Sequence, residues 1–142
     1  MLMLDLDLFK SVNDVHGHQV GNAVLVEVAE RLRAEIREVD VVARYGGEEF
    51  AVILPESDIE GAGHTAERIC NAMRARPFAV GGLELTVTVS IGVAVFPRHG
   101  KAPGALVRAA DEALYAAKAA GRDQWRTAAG QPDSDPSLGL PS

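Results

Sequence analysis

The sequence is poor in the features that mark secreted or membrane-spanning proteins. Its single cysteine, Cys70, excludes an internal disulfide and a cysteine-rich zinc cluster, and it fits a reducing compartment. No apolar run reaches the roughly 18 residues of a membrane span, and residues 1–4 are too short for a secretion signal before acidic residues follow. We therefore expect a cytoplasmic domain without a membrane partner in this segment.

Basic residues are also scarce. The chain has 14 Lys and Arg against 20 Asp and Glu, a formal net charge of −6. Proteins that coat nucleic acid polymers need clustered cations against the phosphate backbone, so this class of partner is excluded. A single nucleotide remains possible, because a few local cations and backbone amides are enough to bind it.

What is present predicts one α+β domain. With 142 residues, 47% of them hydrophobic, the chain can bury a core. Helical spacing and strand-like runs interleave, with strands predicted at residues 1–4, 41–45, 50–54, 78–80, 83–96 and 124–126, and helices at 20–37, 58–76 and 103–120. We predict a central, mostly antiparallel sheet flanked by helices over residues 1–127, and a disordered tail over residues 128–142.

Two pairs of carboxylates lie near predicted strand ends. Asp5 and Asp7 follow the first strand, and Glu48 and Glu49 follow the glycine pair of the hairpin. Either pair alone is compatible with a solvated strand end, with the glycines supplying positive φ. If the two strands are neighbours, however, Asp5 and Glu49 would meet at a site suited to a hard cation such as Mg²⁺.

Three motifs, in this order, resemble one known family. Residues 5–14 read DLDLFKSVND and are followed by Gly17-His18, residues 46–50 read GGEEF, and residues 109–118 read AADEALYAAK, followed by Gly121-Arg122. These segments are similar to the motifs of GGDEF-domain diguanylate cyclases. The resemblance runs from residue 1 to about 126 and implies a nucleotidyl cyclase-like fold, also described as a ferredoxin-like palm.

The resemblance also implies roles for the matching residues. Asp5, Glu49 and the carbonyl of Leu6 would bind Mg²⁺ (or Mn²⁺), and the catalytic Glu48 would lie beside the metal and help to deprotonate the attacking hydroxyl. The resemblance also implies residues that bind the substrate. The phosphates would be bound by the amides of Leu8, Phe9 and Lys10 and by the cations Lys118 and Arg122. Guanine would be bound by Asn13 and His18.

Simpler interpretations of these residues exist. Asn13 and Asp14 could be ordinary turn residues, and His18 could be a structural histidine that bonds the loop backbone. Lys118 and Arg122 could be the cations of an ordinary helix end that Gly121 terminates.

The implied reaction joins two GTP molecules into cyclic di-GMP and pyrophosphate in a homodimer, since one domain holds one GTP. Arg37, Asp40 and Arg68 match the family's inhibitory product site, although Arg37 and Asp40 could also form a simple i,i+3 ion pair. The alternative function is a catalytically silent module that binds cyclic di-GMP or acts in signalling assembly.

The match departs from the family at two places. Asn22 occupies a position where the family usually has an Asp that accepts hydrogen bonds from guanine, so the preference for guanine over another purine is open; Asn22 could also merely start a helix. The family domain also begins with a helix and an Asp-x-Leu-Thr-Gly-Leu-x-Asn-Arg stretch. We expect this chain to be a domain that lacks both.

Overall fold

The computed structural model describes residues 1–129, so residues 130–142 of the predicted tail lie outside the described part. Helices and strands alternate within the described residues. In chain order they are β1 (Leu2–Leu6), α1 (Phe9–His16), α2 (His18–Glu35), β2 (Val41–Arg44), β3 (Glu49–Ile53), α3 (Ile59–Arg74), β4 (Phe78–Val80), β5 (Leu83–Leu85), β6 (Val89–Val93), α4 (Pro103–Ala119) and β7 (Gln124–Thr127).

Five of these strands form the central sheet, in the order β2-β3-β1-β6-β7. The pairs β2–β3, β3–β1 and β1–β6 are antiparallel, and only the edge strand β7 runs parallel to its neighbour β6. A second, two-stranded sheet contains β4 and β5. The predicted α+β architecture with a mostly antiparallel sheet is therefore confirmed.

The central strand β1 is buried on both faces because helices cover both sides of the sheet. Leu2, Leu4 and Leu6 point into the larger core cluster, which includes buried residues of α2 and α3. Met3 points to the opposite face, where it packs in a smaller cluster with Ala110 and Leu114 of α4. The alternation of side chains along β1 thus distributes one short strand between two hydrophobic layers.

Two predicted segments differ in the structure. The residues after β1 form α1, which the sequence analysis did not anticipate, so Asn13 and Asp14 are helical and the interpretation as turn residues is wrong. The single strand predicted over residues 83–96 is two strands in different sheets, β5 and β6, separated by residues 86–88. The alternation of residue types continues through residues 86–88, but β5 pairs with β4 whereas β6 pairs with β1 and β7.

Gly92 is a point of close approach between β6 and α4. A Cβ atom at this position would overlap the backbone oxygen of Ala110 and the backbone nitrogen of Leu114. The helix backbone therefore rests directly on the strand backbone. No side chain other than hydrogen fits between them.

The start of α3 is fixed by a capping side chain. Asp58 caps α3, since its carboxylate accepts a hydrogen bond from the Gly61 amide at 2.8 Å.

Among residues 1–129, no helix has the length and hydrophobicity needed to cross a membrane.

We predict that Gly92→Ala destabilises the domain by roughly 1–3 kcal/mol, the usual cost of overpacking a closely packed site. The matched control is Gly104→Ala in the first turn of α4, where an added Cβ meets nothing within 4 Å. Urea unfolding of the three proteins measures the difference. Equal stability of Gly92→Ala and Gly104→Ala would contradict the close contact.

Candidate active site

Asp5 and Glu49 lie directly opposite each other on paired strands. Asp5 is the fourth residue of β1 and Glu49 is the first residue of β3, and the antiparallel register aligns their Cα atoms. Side chains at such positions project from the same face, with Cβ atoms about 4.5–5.5 Å apart. The predicted juxtaposition of these two carboxylates is therefore confirmed.

The two carboxylates concentrate negative charge in a partly buried place. Burial, followed by the charge of Asp5, raises the pKa of the Glu49 carboxyl above its ordinary value, although the nearby Lys118 opposes the shift. Oδ2 of Asp5 forms an ion pair with the Lys118 ammonium of α4. Oδ1 of Asp5 is buried and has no hydrogen-bond partner among the described residues. This oxygen has an unused capacity to accept a cation.

The donors fit a hard divalent cation that completes its shell on a substrate. Residues 1–129 contain no group of three or more His, Cys, Asp and Glu side chains that could hold a metal ion by themselves. Mg²⁺ is usually held by only one or two carboxylates, with substrate phosphates and water supplying the other oxygens. The unpaired oxygen of Asp5, opposite Glu49, is suited to this kind of site.

A cavity of about 160 Å³ opens beside these carboxylates. It gathers residues from the end of β1, the start of α1, the β2–β3 turn and the end of α4. Its lining consists of Asp5, Leu6, Asp7, Leu8, Phe9, Lys10, Glu48, Lys118 and Arg122. The structure thus brings the residues predicted for the metal and the phosphates to one cavity or its immediate border.

The start of α1 supplies backbone donors to this cavity. Leu8 precedes the helix with a left-handed backbone (φ 58°), and no side chain caps the helix. The first N–H groups of any helix lack intrahelical acceptors, so the amides of Phe9 and Lys10 are available to an anion. Together with the helix dipole, they form a suitable place for phosphate.

The end of α4 supplies the cations. Gly121 (φ 125°) follows the helix, the Arg122 amide bonds the Ala117 carbonyl at 3.0 Å, and the Gly121 amide bonds the Lys118 carbonyl at 3.3 Å. This is the Schellman type of helix end. The interpretation as an ordinary helix end is therefore correct, but Lys118 and Arg122 also line the cavity.

The β2–β3 turn is shaped by a residue that the sequence analysis missed. The Arg44 guanidinium donates to the carbonyls of Gly46 (3.2 Å) and Gly47 (2.7 Å) and so braces the turn. Neither glycine has positive φ, so the expectation for these glycines is wrong. Gly46 instead leaves space, because a Cβ there would lie 3.0 Å from Oε1 of Glu49.

The residues predicted for the base lie outside this cavity, on α1 and α2. Asn13 is half-buried, and its side-chain oxygen fills the space that a Cβ at Gly21 would need. Asn22 lies inside α2, so it does not start the helix, and it lines a separate cavity of about 300 Å³ with Arg44 and Phe50.

His18 is the first residue of α2 and is exposed. Its side chain makes no hydrogen bond within the described part of the chain. The interpretation of His18 as a structural histidine that bonds the loop is therefore wrong.

The second predicted cluster lies at the other end of β2. Arg37 Nη2 lies 2.7 Å from Oδ1 of the buried Asp40, and this hydrogen bond lowers the pKa of the Asp40 carboxyl. Arg68 donates to the Glu35 carbonyl at 3.1 Å, and its charge contributes to the same shift in Asp40. The i,i+3 ion pair is therefore present, and Arg68 lies near it.

A cavity of about 420 Å³ borders this cluster. Its lining includes Arg37 and Asp40, together with Arg33 of α2 and Val42 of β2. The three predicted inhibitory residues thus lie at or near an open depression whose lining contains two arginines and two carboxylates, separate from the cavity at Asp5.

The structure defines an α+β domain with carboxylates and cations gathered at one cavity, and comparison with known proteins gives the family. The profile described as "Diguanylate cyclase, GGDEF domain" matches residues 1–124. The chain belongs to this family. Its members generally make cyclic di-GMP and use a divalent metal.

Individual relatives agree with this assignment. The response regulator PleD of Caulobacter vibrioides is 46% identical over 124 residues, which are 86% of this chain and 27% of PleD. The crystal structure of the GGDEF domain of YfiN (TpbB) from Pseudomonas aeruginosa has a TM-score of 0.87 at 39% identity, covering 92% of this chain and 81% of that one. This chain therefore spans about a quarter of the length of the curated relative PleD.

A third relative was solved with a ligand. The GGDEF domain of DgcB from Caulobacter crescentus, in complex with c-di-GMP, has a TM-score of 0.82 at 35% identity, covering 89% of this chain and 75% of that one.

Proposed function

We propose that this domain is a diguanylate cyclase that condenses two GTP molecules into cyclic di-GMP and pyrophosphate. The observation that carries the proposal is the cross-strand pair Asp5–Glu49, with its unpaired buried oxygen, beside a cavity that holds Lys118 and Arg122. Carboxylates for a cation and cations for phosphates in one place are the requirements of phosphoryl transfer.

Each group in the cavity has a proposed task. The 3′-hydroxyl of each GTP attacks the α-phosphorus of the other, so that two new P–O bonds form, two bonds to the leaving groups break, and two pyrophosphates depart. Glu48 accepts the hydroxyl proton. The α1 amides hold phosphate oxygens, and Lys118 and Arg122 stabilise the charge that develops on pyrophosphate. Asp5, Glu49 and the Leu6 carbonyl would hold Mg²⁺, or Mn²⁺, which supplies Lewis-acid stabilisation of the phosphates.

The reaction requires two copies of the domain. Each copy contributes one such site, whose cavity receives the phosphates of one GTP. We propose a homodimer in which two cavities face each other, because alignment of two bound nucleotides replaces an improbable collision between free ones. The cytoplasm, where GTP is available, is the proposed location.

We expect Glu49→Gln to lower cyclic di-GMP formation and Mg²⁺-dependent GTP binding by roughly a hundredfold or more, because several kcal/mol of charge stabilisation are lost. The protein is incubated with GTP and Mg²⁺ and the product is identified by mass, while circular dichroism checks the fold. Glu84→Gln, an exposed carboxylate on β5, is the matched control. Unchanged GTP binding by Glu49→Gln would contradict the metal assignment, and no product from a dimeric wild-type sample would contradict the cyclase.

The base preference depends on Asn22. An Asp accepts from both the N1–H and the exocyclic amine of guanine through its two oxygens, whereas the Asn amide has one acceptor oxygen and an NH₂ group that can only donate. We expect Asn22→Asp to raise the preference for GTP over ATP by about tenfold, because a charge-assisted hydrogen bond is gained. Competition binding of the two nucleotides measures it, with Asn71→Asp on the exposed side of α3 as the control. An unchanged ratio would show that Asn22 does not contact the base.

Regulation by the product is proposed at Arg37, Asp40 and Arg68. The fork of Arg37 already donates to Asp40 through two nitrogens, and arginine can clamp phosphate and stack on guanine in the same way. The relative DgcB was crystallised with c-di-GMP, which supports the same ligand here. Binding at this cluster without synthesis would identify the alternative, a silent c-di-GMP-binding module.

We expect Arg37→Ala to weaken cyclic di-GMP binding by roughly 10- to 100-fold, the value of one or two charged hydrogen bonds. Calorimetry with cyclic di-GMP measures the affinity, and Arg108→Ala on the exposed face of α4 is the control. Equal affinity of Arg37→Ala and wild type would rule out this cluster as the binding site.

A further inference from the structure

Asp7 differs in environment from Asp5, although only one residue separates them. Oδ1 of Asp7 accepts a hydrogen bond from the Ser90 hydroxyl at 2.6 Å. Oδ2 accepts from the Thr88 hydroxyl at 2.7 Å and from the Asp123 backbone amide at 2.9 Å. The buried carboxylate therefore has three protein donors, whereas Asp5 keeps an oxygen without one. This arrangement suits Asp7 to hold protein groups rather than a cation.

The third donor belongs to a backbone segment in an unfavourable conformation. Gly121, Arg122 and Asp123 have φ values of 125°, 63° and 50°, and only the first of them is glycine. Two consecutive L residues in the left-handed region persist only when surrounding contacts hold them. The hydrogen bonds of the α4 end reach as far as the Arg122 amide and leave the Asp123 amide to Asp7.

Other contacts fix Asp123 from the opposite side. Its carboxylate forms an ion pair with Arg74 of α3 at 2.8 Å. The next residue, Gln124, begins β7 and pairs with Ser90, which also donates to Asp7. Asp7 thus connects the end of β1 to the point at which β7 joins the sheet. The β1–β6 connection itself does not need this carboxylate, because the Asp7 amide already bonds the Thr88 carbonyl at 2.9 Å.

The segment held in this way carries Arg122. The Arg122 side chain lines the cavity, and within residues 1–129 it forms no ion pair or side-chain hydrogen bond. The backbone of residues 121–123 therefore sets the direction in which the Cα–Cβ bond of Arg122 leaves the chain. We propose that Asp7 is a positioning residue that holds this segment so that Arg122 faces the phosphates of the nucleotide, an inference that rests on the proposed function.

Asp7→Asn tests the proposal, because the amide keeps the size of the side chain but loses its charge and one acceptor. Without nucleotide, we expect amide hydrogen exchange at Asp123 to accelerate by roughly tenfold or more, with exchange in β1 and β3 unchanged. With GTP and Mg²⁺, we expect affinity to fall by about tenfold. Unchanged exchange at Asp123 together with unchanged affinity would overturn the proposal.

A double-mutant cycle separates positioning from a general loss of stability. If Asp7 acts through Arg122, the variant Asp7→Asn/Arg122→Ala binds GTP as Arg122→Ala alone does. Additive losses would overturn the proposal. Ser90→Ala is the matched control, since it removes a donor from the same carboxylate but leaves the Asp123 contact, and its GTP affinity should stay near that of wild type.

A second variant covers the case in which Asp7→Asn does not fold. Asp7→Glu keeps the charge but moves the carboxylate by one methylene, so that it cannot hold all three donors, and the same two measurements then decide. Amide hydrogen exchange without nucleotide tests whether Asp7 stabilises the conformation of residues 121–123. If exchange at Asp123 is faster in the variant but wild type does not bind GTP, Asp7 does stabilise residues 121–123. The proposed function is then contradicted.

Discussion

Asp5 and Glu49 face each other because β1 and β3 pair in one antiparallel register, and the remaining features of the cavity are arranged around this pair. Two carboxylates in a partly buried place repel each other, which is part of the reason that the pKa of Glu49 is raised. The surrounding fold is rigid enough to impose the arrangement, since β1 is buried along its whole length. Lys118 relieves the repulsion only partly, because it pairs with one oxygen of Asp5.

The β2–β3 hairpin joins the two clusters of charged residues. One end of β2 follows Asp40, and the other end leads through Arg44 into the glycine turn beside Glu48. Four extended residues span only roughly 13 Å. A ligand at Arg37 and Asp40 would therefore contact the same hairpin that carries Glu48 and Glu49, without overlapping the cavity at Asp5.

Much of this arrangement could be predicted from the sequence, because hydrophobic spacing and turn residues are local signals. They located α2, α3, α4 and the hairpin, and the motifs located the carboxylates and cations of the cavity. The signals failed where a tertiary contact decides the local structure. α1 was missed because Asn13 and Asp14 are common in turns, and the break between β5 and β6 depends on which sheet each strand joins. Arg44 was overlooked because an arginine beside two glycines indicates nothing until the turn has formed.

The close contact between α4 and Gly92 also determines where Lys118, near the C-terminal end of the helix, is placed. Ala110 and Leu114 are fixed against the strand backbone, and Lys118 lies one turn beyond Leu114. A slip of the helix by a single residue would move Lys118 by about 1.5 Å and rotate it by about 100°, away from Asp5. Because Gly92 has no side chain, α4 packs in one fixed position on β6, and this position determines where the Lys118 ammonium group lies and in which direction it points.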